Sequence, residues 1–273
     1  MLNMRISGVP CFPLWVFLKN RAEQHDEFPD SANFYNNTNN MTAFQTAFSL
    51  LTIFDWVAVA FFVICFRGYN YVFDGSRRFG RRGLAQKTHE FRKLWARELI
   101  KRSNRVGDTA LIGNLVNSVT FYANTTIYII AGLFALLGTL DQLVNITSDL
   151  PFSREVSRGL MEIKVLLVLA VFVVAYFKFT WSLRQFNLLT ILVGAAPDGN
   201  PDQEYNEAYV SRMARINSLA GDEFNRGLRS YYFGIASVTW MIHPGLLVAF
   251  SALIVFVLIR RDFYSEALEI MSK

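Results

Sequence analysis

Residues 164–197 read KVLLVLAVFVVAYFKFTWSLRQFNLLTILVGAAP, and no other stretch restricts the fold as strongly. Between Lys164 and Lys178 there is no charged side chain. Interrupted only by Lys178, the apolar stretch runs on to Leu183, and a length approaching 20 residues matches the ~30 Å hydrocarbon core of a bilayer. The second half stays apolar but carries Lys178, Arg184, Gln185 and Asn187. An apolar helix with embedded cations must continue into a protein-covered or interfacial environment, because bare lipid cannot solvate them. The chain therefore reads as a membrane protein with more than one span.

Composition agrees: 52% of the 273 residues are hydrophobic and 18% charged, below the roughly 25% charged content of soluble domains. The apolar segments are too long for strands. The expected fold is all-α and polytopic, with four transmembrane helices over 47–66, 113–140, 159–183 (apolar to 194) and 228–259. These belong to one membrane domain, 45–265, followed by a tail, 266–273. Residues 1–44 hold a short apolar run broken by Pro10 and Pro13, then the polar run NFYNNTNN. The run is too short to span. The segment reads as a disordered exported leader, or as sequence ahead of a start at Met41.

Basic residues orient the spans. Segment 67–112 holds twelve lysines and arginines, 141–158 holds two and 184–229 holds five. Loops 67–112 and 184–229 are thus expected in the cytoplasm. Four spans then place both termini outside (N-out/C-out).

The cytoplasmic segments carry amphipathic extensions. Over 84–105, Phe91, Leu94, Trp95 and Leu99 fall on one helical face, with Arg97 and other cations around them. This helix either lies on the membrane, with Trp95 at headgroup depth and cations on anionic lipid, or packs on a second helix over 204–224. In the latter, Tyr205, Tyr209, Met213, Ile216 and Ala220 form the stripe, after a turn at 198–201. Topology accounts for the basic charge, so nucleic acid is not expected as a partner.

Each expected span holds a costly polar group. Asp55 lies about eight residues inside the first. Asn114, Asn117 and Asn124, with Phe121 between, repeat at three, four and three residues, with Tyr128 beyond. Glu162 and Lys164 sit near the outer end of the third span, and Lys178 in its inner half. His243 precedes Pro244, which is expected to kink the fourth span. Such groups should face the bundle interior. One reading joins Asp55, Asn124 and His243 in a polar cluster along a proton or ion path, with His243 titrating near neutrality. The other makes the asparagine and histidine side chains hydrogen-bonded glue between helices. Cys11 and Cys65 imply no disulfide framework and no zinc spacing. No nucleophile elbow, phosphate loop or zinc-protease motif occurs. No enzyme activity, metal or cofactor is expected.

Four segments carry a resemblance: FDWVAVAFFVICFRGYN, WARELIKRSNRVGDTALIGNLVNS, FKFTWSLRQFNLLTILVGAAP and FNRGLRSYYFGIASVTWMIHP. They resemble the bacterial branch of the uncharacterised membrane family "domain of unknown function 599", over roughly 48–265. The resemblance implies an integral inner-membrane protein of about four spans. It implies no activity and carries no catalytic residues over. The function expected from these features is a non-enzymatic assembly, accessory or scaffold component. An oligomeric channel or transporter subunit is the alternative, and a lipid-modifying enzyme comes last. The expected partners are anionic lipid at the cytoplasmic face and either a second copy or another membrane-complex subunit.

Overall fold

The computed structural model describes residues 51–76, 84–148, 157–197 and 203–271. The expected leader 1–44, the start of the expected first span, the glycine-rich segment 77–83 and the turn at 198–201 lie outside the described residues. Among the described residues all regular structure is helical: α1 (Ile53–Ser76), α2 (Leu84–Lys101), α3 (Val106–Gly138), α4 (Leu140–Ser148), α5 (Arg158–Gly194), α6 (Gln203–Val238), a 3-10 turn (Thr239–Met241), α7 (Pro244–Phe263) and α8 (Glu266–Ile270). Three helices are long and apolar enough to cross a membrane: α1 over Ile53–Tyr71, α3 and α5.

The chain folds around an antiparallel hairpin of α5 and α6. The Ser157 side chain caps α5 by accepting from Leu160 N. Pro197, three residues past the end of the helix, cannot continue it. At 1.5 Å per residue the 37 residues of α5 and the 36 of α6 each reach about 55 Å. Both are longer than the ~30 Å hydrocarbon core of a bilayer, so the end of the hairpin near Gly194 and Gln203 would project from one. Two glycines set the approach of the hairpin. A Cβ on Gly227 would lie 2.5 Å from Phe179 Cε1, and one on Gly234 2.8 Å from Phe172 Cζ. Farther along, Ser182 Oγ donates to the Ala220 carbonyl and Tyr209 OH to the Leu192 carbonyl.

α3 runs antiparallel to α5. Tyr122 stacks on Phe179 at 5.6 Å, and Arg105, just before α3, donates to the carbonyls of Ala196 and Pro197 beyond the far end of α5. α2 lies along the projecting half of α6, tied by His89 Nδ1 to Ser218 Oγ (2.7 Å) and by Arg97 to Glu207 (2.8 Å). The Arg97 hydrogen bond holds the Glu207 carboxyl below its usual range. The two amphipathic segments therefore pack on each other. Ala96 and Leu99 are buried in that contact, whereas Phe91 and Leu94 stay about half exposed.

The expected fourth span is not one helix. α6 ends at Val238, the chain turns through 239–243, and α7 runs back along it. His243 is extended (φ −153°, ψ 138°) and caps α7, its Nδ1 accepting from Gly245 N at 3.0 Å. Pro244 stands at the first position of α7, where a missing N–H costs nothing and the fixed φ suits a helix. The proline therefore starts a helix instead of kinking one. Both ends of α1 confirm the reversal. Its first turn meets Trp240 through Asp55, and its other end meets Asp262 of α7 through Tyr69. α1 and α7 are thus parallel, and both are antiparallel to α6. α7 and α8 finish beside α2, so the two ends of the described chain lie at opposite ends of the bundle. The single helix expected over 228–259 is thus corrected to two antiparallel helices, α6 and α7.

The glycine contacts give a direct prediction. Gly227→Ala and Gly234→Ala drive a methyl into buried aromatic rings and should each cost about 1–3 kcal/mol, read as a lower unfolding midpoint in detergent. Gly132→Ala meets no atom within 4 Å and should leave the midpoint unchanged or raise it.

Candidate functional site

The polar groups expected at depth are distributed over separate nodes. At one end, Thr52 and Asp55 form a reciprocal cap on α1. Asp55 Oδ2 accepts from Thr52 N (3.2 Å) and Oγ1 (2.6 Å), and Asp55 N reaches Thr52 Oγ1 (3.4 Å). Asp55 therefore belongs to the first turn of its helix instead of lying eight residues inside it. Its second oxygen accepts from Trp240 Nε1 at 3.0 Å. The opposite side of the account is Lys164, buried, with Nζ 5.7 Å from the centroid of the same indole. A carboxylate and an ammonium thus share one buried tryptophan.

At the other end, Tyr69 OH donates to Asp262 Oδ2 at 2.6 Å, Arg261 Nε reaches Asp262 Oδ1 at 3.3 Å, and Arg229 Nε donates to Asn70 Oδ1 at 3.0 Å. The Arg229 guanidinium lies 5.7 Å from the Tyr69 ring centroid. Lys178 pairs with Glu223 across the α5–α6 hairpin at 3.1 Å, and Arg226 pairs with the same carboxylate. Arg184 stacks on Trp181 of its own helix, and Gln185 is half-buried. Trp95 Nε1 and Arg102 Nη1 both donate to the buried Asp108, at 2.7 and 2.8 Å, pinning α2 to the start of α3.

Asp55, Asn124 and His243 share no hydrogen bond. Asp55 is held by Thr52 and Trp240, His243 caps α7, and Asn124 sits on the outward face of α3. The asparagine seam corrects an expectation. Asn114, Asn117, Phe121, Asn124 and Tyr128 are all exposed. Only the opposite face of α3, through Ile112, Val119, Ala123, Thr126 and Leu133, is buried. The period was legible, but it reports an outward stripe instead of an inward one.

Sequence reasoning missed a cleft of about 550 Å³ between α2, α3, α5 and α6. Phe91, Trp95, Leu111, Leu115, Phe186 and Phe224 supply most of its wall, and among the described residues Arg92 is the only charged side chain lining it. Three asparagines, Asn114, Asn217 and Asn225, also face it. Asn217 is 4% exposed. The amphipathic pattern of α6 was the available signal: Asn217 falls on its buried stripe, between Met213 and Ala220.

Tyr69→Phe strips the buried Asp262 carboxylate of its short donor and should cost about 1–3 kcal/mol in detergent unfolding. Tyr69→Phe with Asp262→Leu should cost less than Tyr69→Phe alone, because no buried carboxylate is left underserved.

A family model described as "Protein of unknown function, DUF599" matches residues 57–267. No curated protein and no solved structure matches the chain.

Proposed function

The chain belongs to the DUF599 family, and from that premise we propose that it is a non-enzymatic assembly component of the bacterial cytoplasmic membrane that associates with a second copy of itself through α3. The outward stripe Asn114–Asn117–Phe121–Asn124–Tyr128 carries this reading. An amide facing hydrocarbon loses its hydrogen bonds to water and gains by finding another amide. Two copies in one bilayer share the same up-down sense, so a two-fold axis along the membrane normal brings their α3 helices together in parallel. Each asparagine then meets its own counterpart at the same depth. An amide both donates and accepts, so the pair satisfies itself. The alternating three and four spacing is the seam of two packed helices.

We place the projecting end, with α2, in the cytoplasm. The reversal at 239–243 supports this side. It moves the three basic residues after Ile259 to join the twelve of 67–112 and the five of 184–229, making twenty at one end against two in 141–158. In this arrangement α6 and α7 both pass through the membrane as a hairpin. A conduit within one copy gains no support, because the buried ionisable groups are tied pairwise between helices instead of lining one passage.

Native mass spectrometry of the detergent-extracted protein should show a dimer. Asn117→Leu with Asn124→Leu should shift it to monomer while leaving its unfolding midpoint in place. A monomeric wild type, or a double variant that stays dimeric, overturns the reading. Liposomes bearing the wild type should leak protons no faster than empty ones, and a flux abolished by His243→Ala would instead establish conduction.

A further inference from the structure

We propose that α1 and α7, where they reach the α2 side of the membrane, each bind the phosphate of an anionic phospholipid headgroup. The two helices are parallel and locked in register where Tyr69 OH donates to Asp262 Oδ2 at 2.6 Å. Counted from that tie, both carry the same step. Arg67 and Arg260 stand two residues before it, and Tyr71 and Tyr264 two residues after it. All four are exposed, the tyrosines at 80% and 79%. Each arginine and its tyrosine are four apart, so they share one helix face, Tyr264 being the residue that ends α7. Side chains on a helix lean toward its N-terminus, so each phenol reaches back to the level of its arginine.

The faces that lead to these steps are suited to acyl chains. On α1 the exposed residues are Trp56, Val63 and Ile64, and on α7 Leu253, Phe256 and Val257. Arg67 falls in the last turn of the Ile53–Tyr71 span. A guanidinium at that depth needs its head carried to an anion or to water at the interface.

The chain offers neither arginine such an anion. Among the described residues Arg67 and Arg260 make no ion pair, whereas the adjacent Arg261 is taken by Asp262 and lies over the Tyr232 ring. Asp262 is itself occupied by Tyr69 and Arg261, and Glu266 lies past Tyr264, on α8. Two cations therefore reach the headgroup layer with their charge unanswered. A guanidinium meets phosphate oxygens with paired hydrogen bonds, and a phenol adds a third donor. A zwitterionic headgroup brings an ammonium that the arginine repels, so the complementary lipid is anionic. That this leaflet is the cytoplasmic one, which is rich in anionic lipid, rests on the sidedness argued above; the binding itself does not.

The test uses the full chain in nanodiscs of phosphatidylcholine with phosphatidylglycerol at roughly three to one in both leaflets, released into native mass spectrometry. Wild type should carry phosphatidylglycerol well above its share of the bilayer. Arg67→Gln and Arg260→Gln should each weaken that retention about fivefold, the worth of one cation at an anionic surface. The double variant should carry the bulk ratio. Both arginines are exposed, so the unfolding midpoint should stay in place. Arg212→Gln, an exposed arginine on the projecting half of α6, should leave retention as in wild type. Inorganic phosphate at millimolar concentration should not lower it, because phosphate has no chains to lie along the apolar faces. A wild type carrying the bulk ratio, a double variant still enriched, an equal loss in Arg212→Gln, or displacement by phosphate would each sink the proposal. With identical leaflets and counts taken per chain, none of these outcomes depends on sidedness or on the dimer.

Discussion

Everything in this molecule leans on the seam between α5 and α6, where two glycines let the backbone of one helix lie directly under the phenyl rings of the other. Phe172 and Phe179 are seven residues apart on α5, and Gly234 and Gly227 are seven apart on α6. The seam therefore repeats in register for two turns. The same rings hold the rest of the core: Tyr122 of α3 stacks on Phe179, and Tyr231 meets both Phe172 and Phe179 edge-on or tilted. Losing the close approach at one glycine would move the wall against which α3 rests. Dispersion contacts decay steeply with separation, so a small displacement there is felt across three helices.

Charge is handled differently. The bundle buries Asp55, Lys164, Asp108, Arg229 and Asp262, all costly in a low-dielectric interior. Each carboxylate among them is met by a tryptophan or tyrosine donor: Trp240 for Asp55, Trp95 for Asp108, Tyr69 for Asp262. An aromatic donor brings a large apolar surface along with one hydrogen bond. It satisfies the oxygen without adding a second charge to be desolvated. These ties join helices distant in sequence, and they give the helix order a specificity that apolar packing alone would leave loose.

α5, the expected third span, was readable almost to the residue, because a long apolar run with a proline after it admits few alternatives. The pairing of the two amphipathic segments was also readable as one of two options. What failed was direction. Residues 228–259 are apolar enough to suggest one span, yet 32 residues make a helix near 48 Å, well beyond a bilayer. The tetrad Ile242–His243–Pro244–Gly245 carries a helix-start signature, a capping side chain followed by proline, which hydropathy hides. Thr52–Ile53–Phe54–Asp55 is likewise a capping box, obscured by the apolar residues before it. The asparagine period on α3 showed a stripe but not which way it faced, since that depends on which neighbour α3 meets. The cleft needed four helices at once, and no local pattern announces it.

The parallel pairing of α1 with α7 has a consequence for how the chain reaches this state. Asp55 and Trp240 are 185 residues apart, and Tyr69 and Asp262 are 193 apart. α1 thus has its partners roughly 190 residues farther along the chain. While α3, α5 and α6 assemble around their glycine seam, α1 must wait with its carboxylate and tyrosine unserved. Loop closure over such distances is slow to be rewarded. The pairing of α1 therefore requires the residues from Trp240 onward, and a chain truncated before Trp240 would leave α1 without the helix it meets in the native bundle.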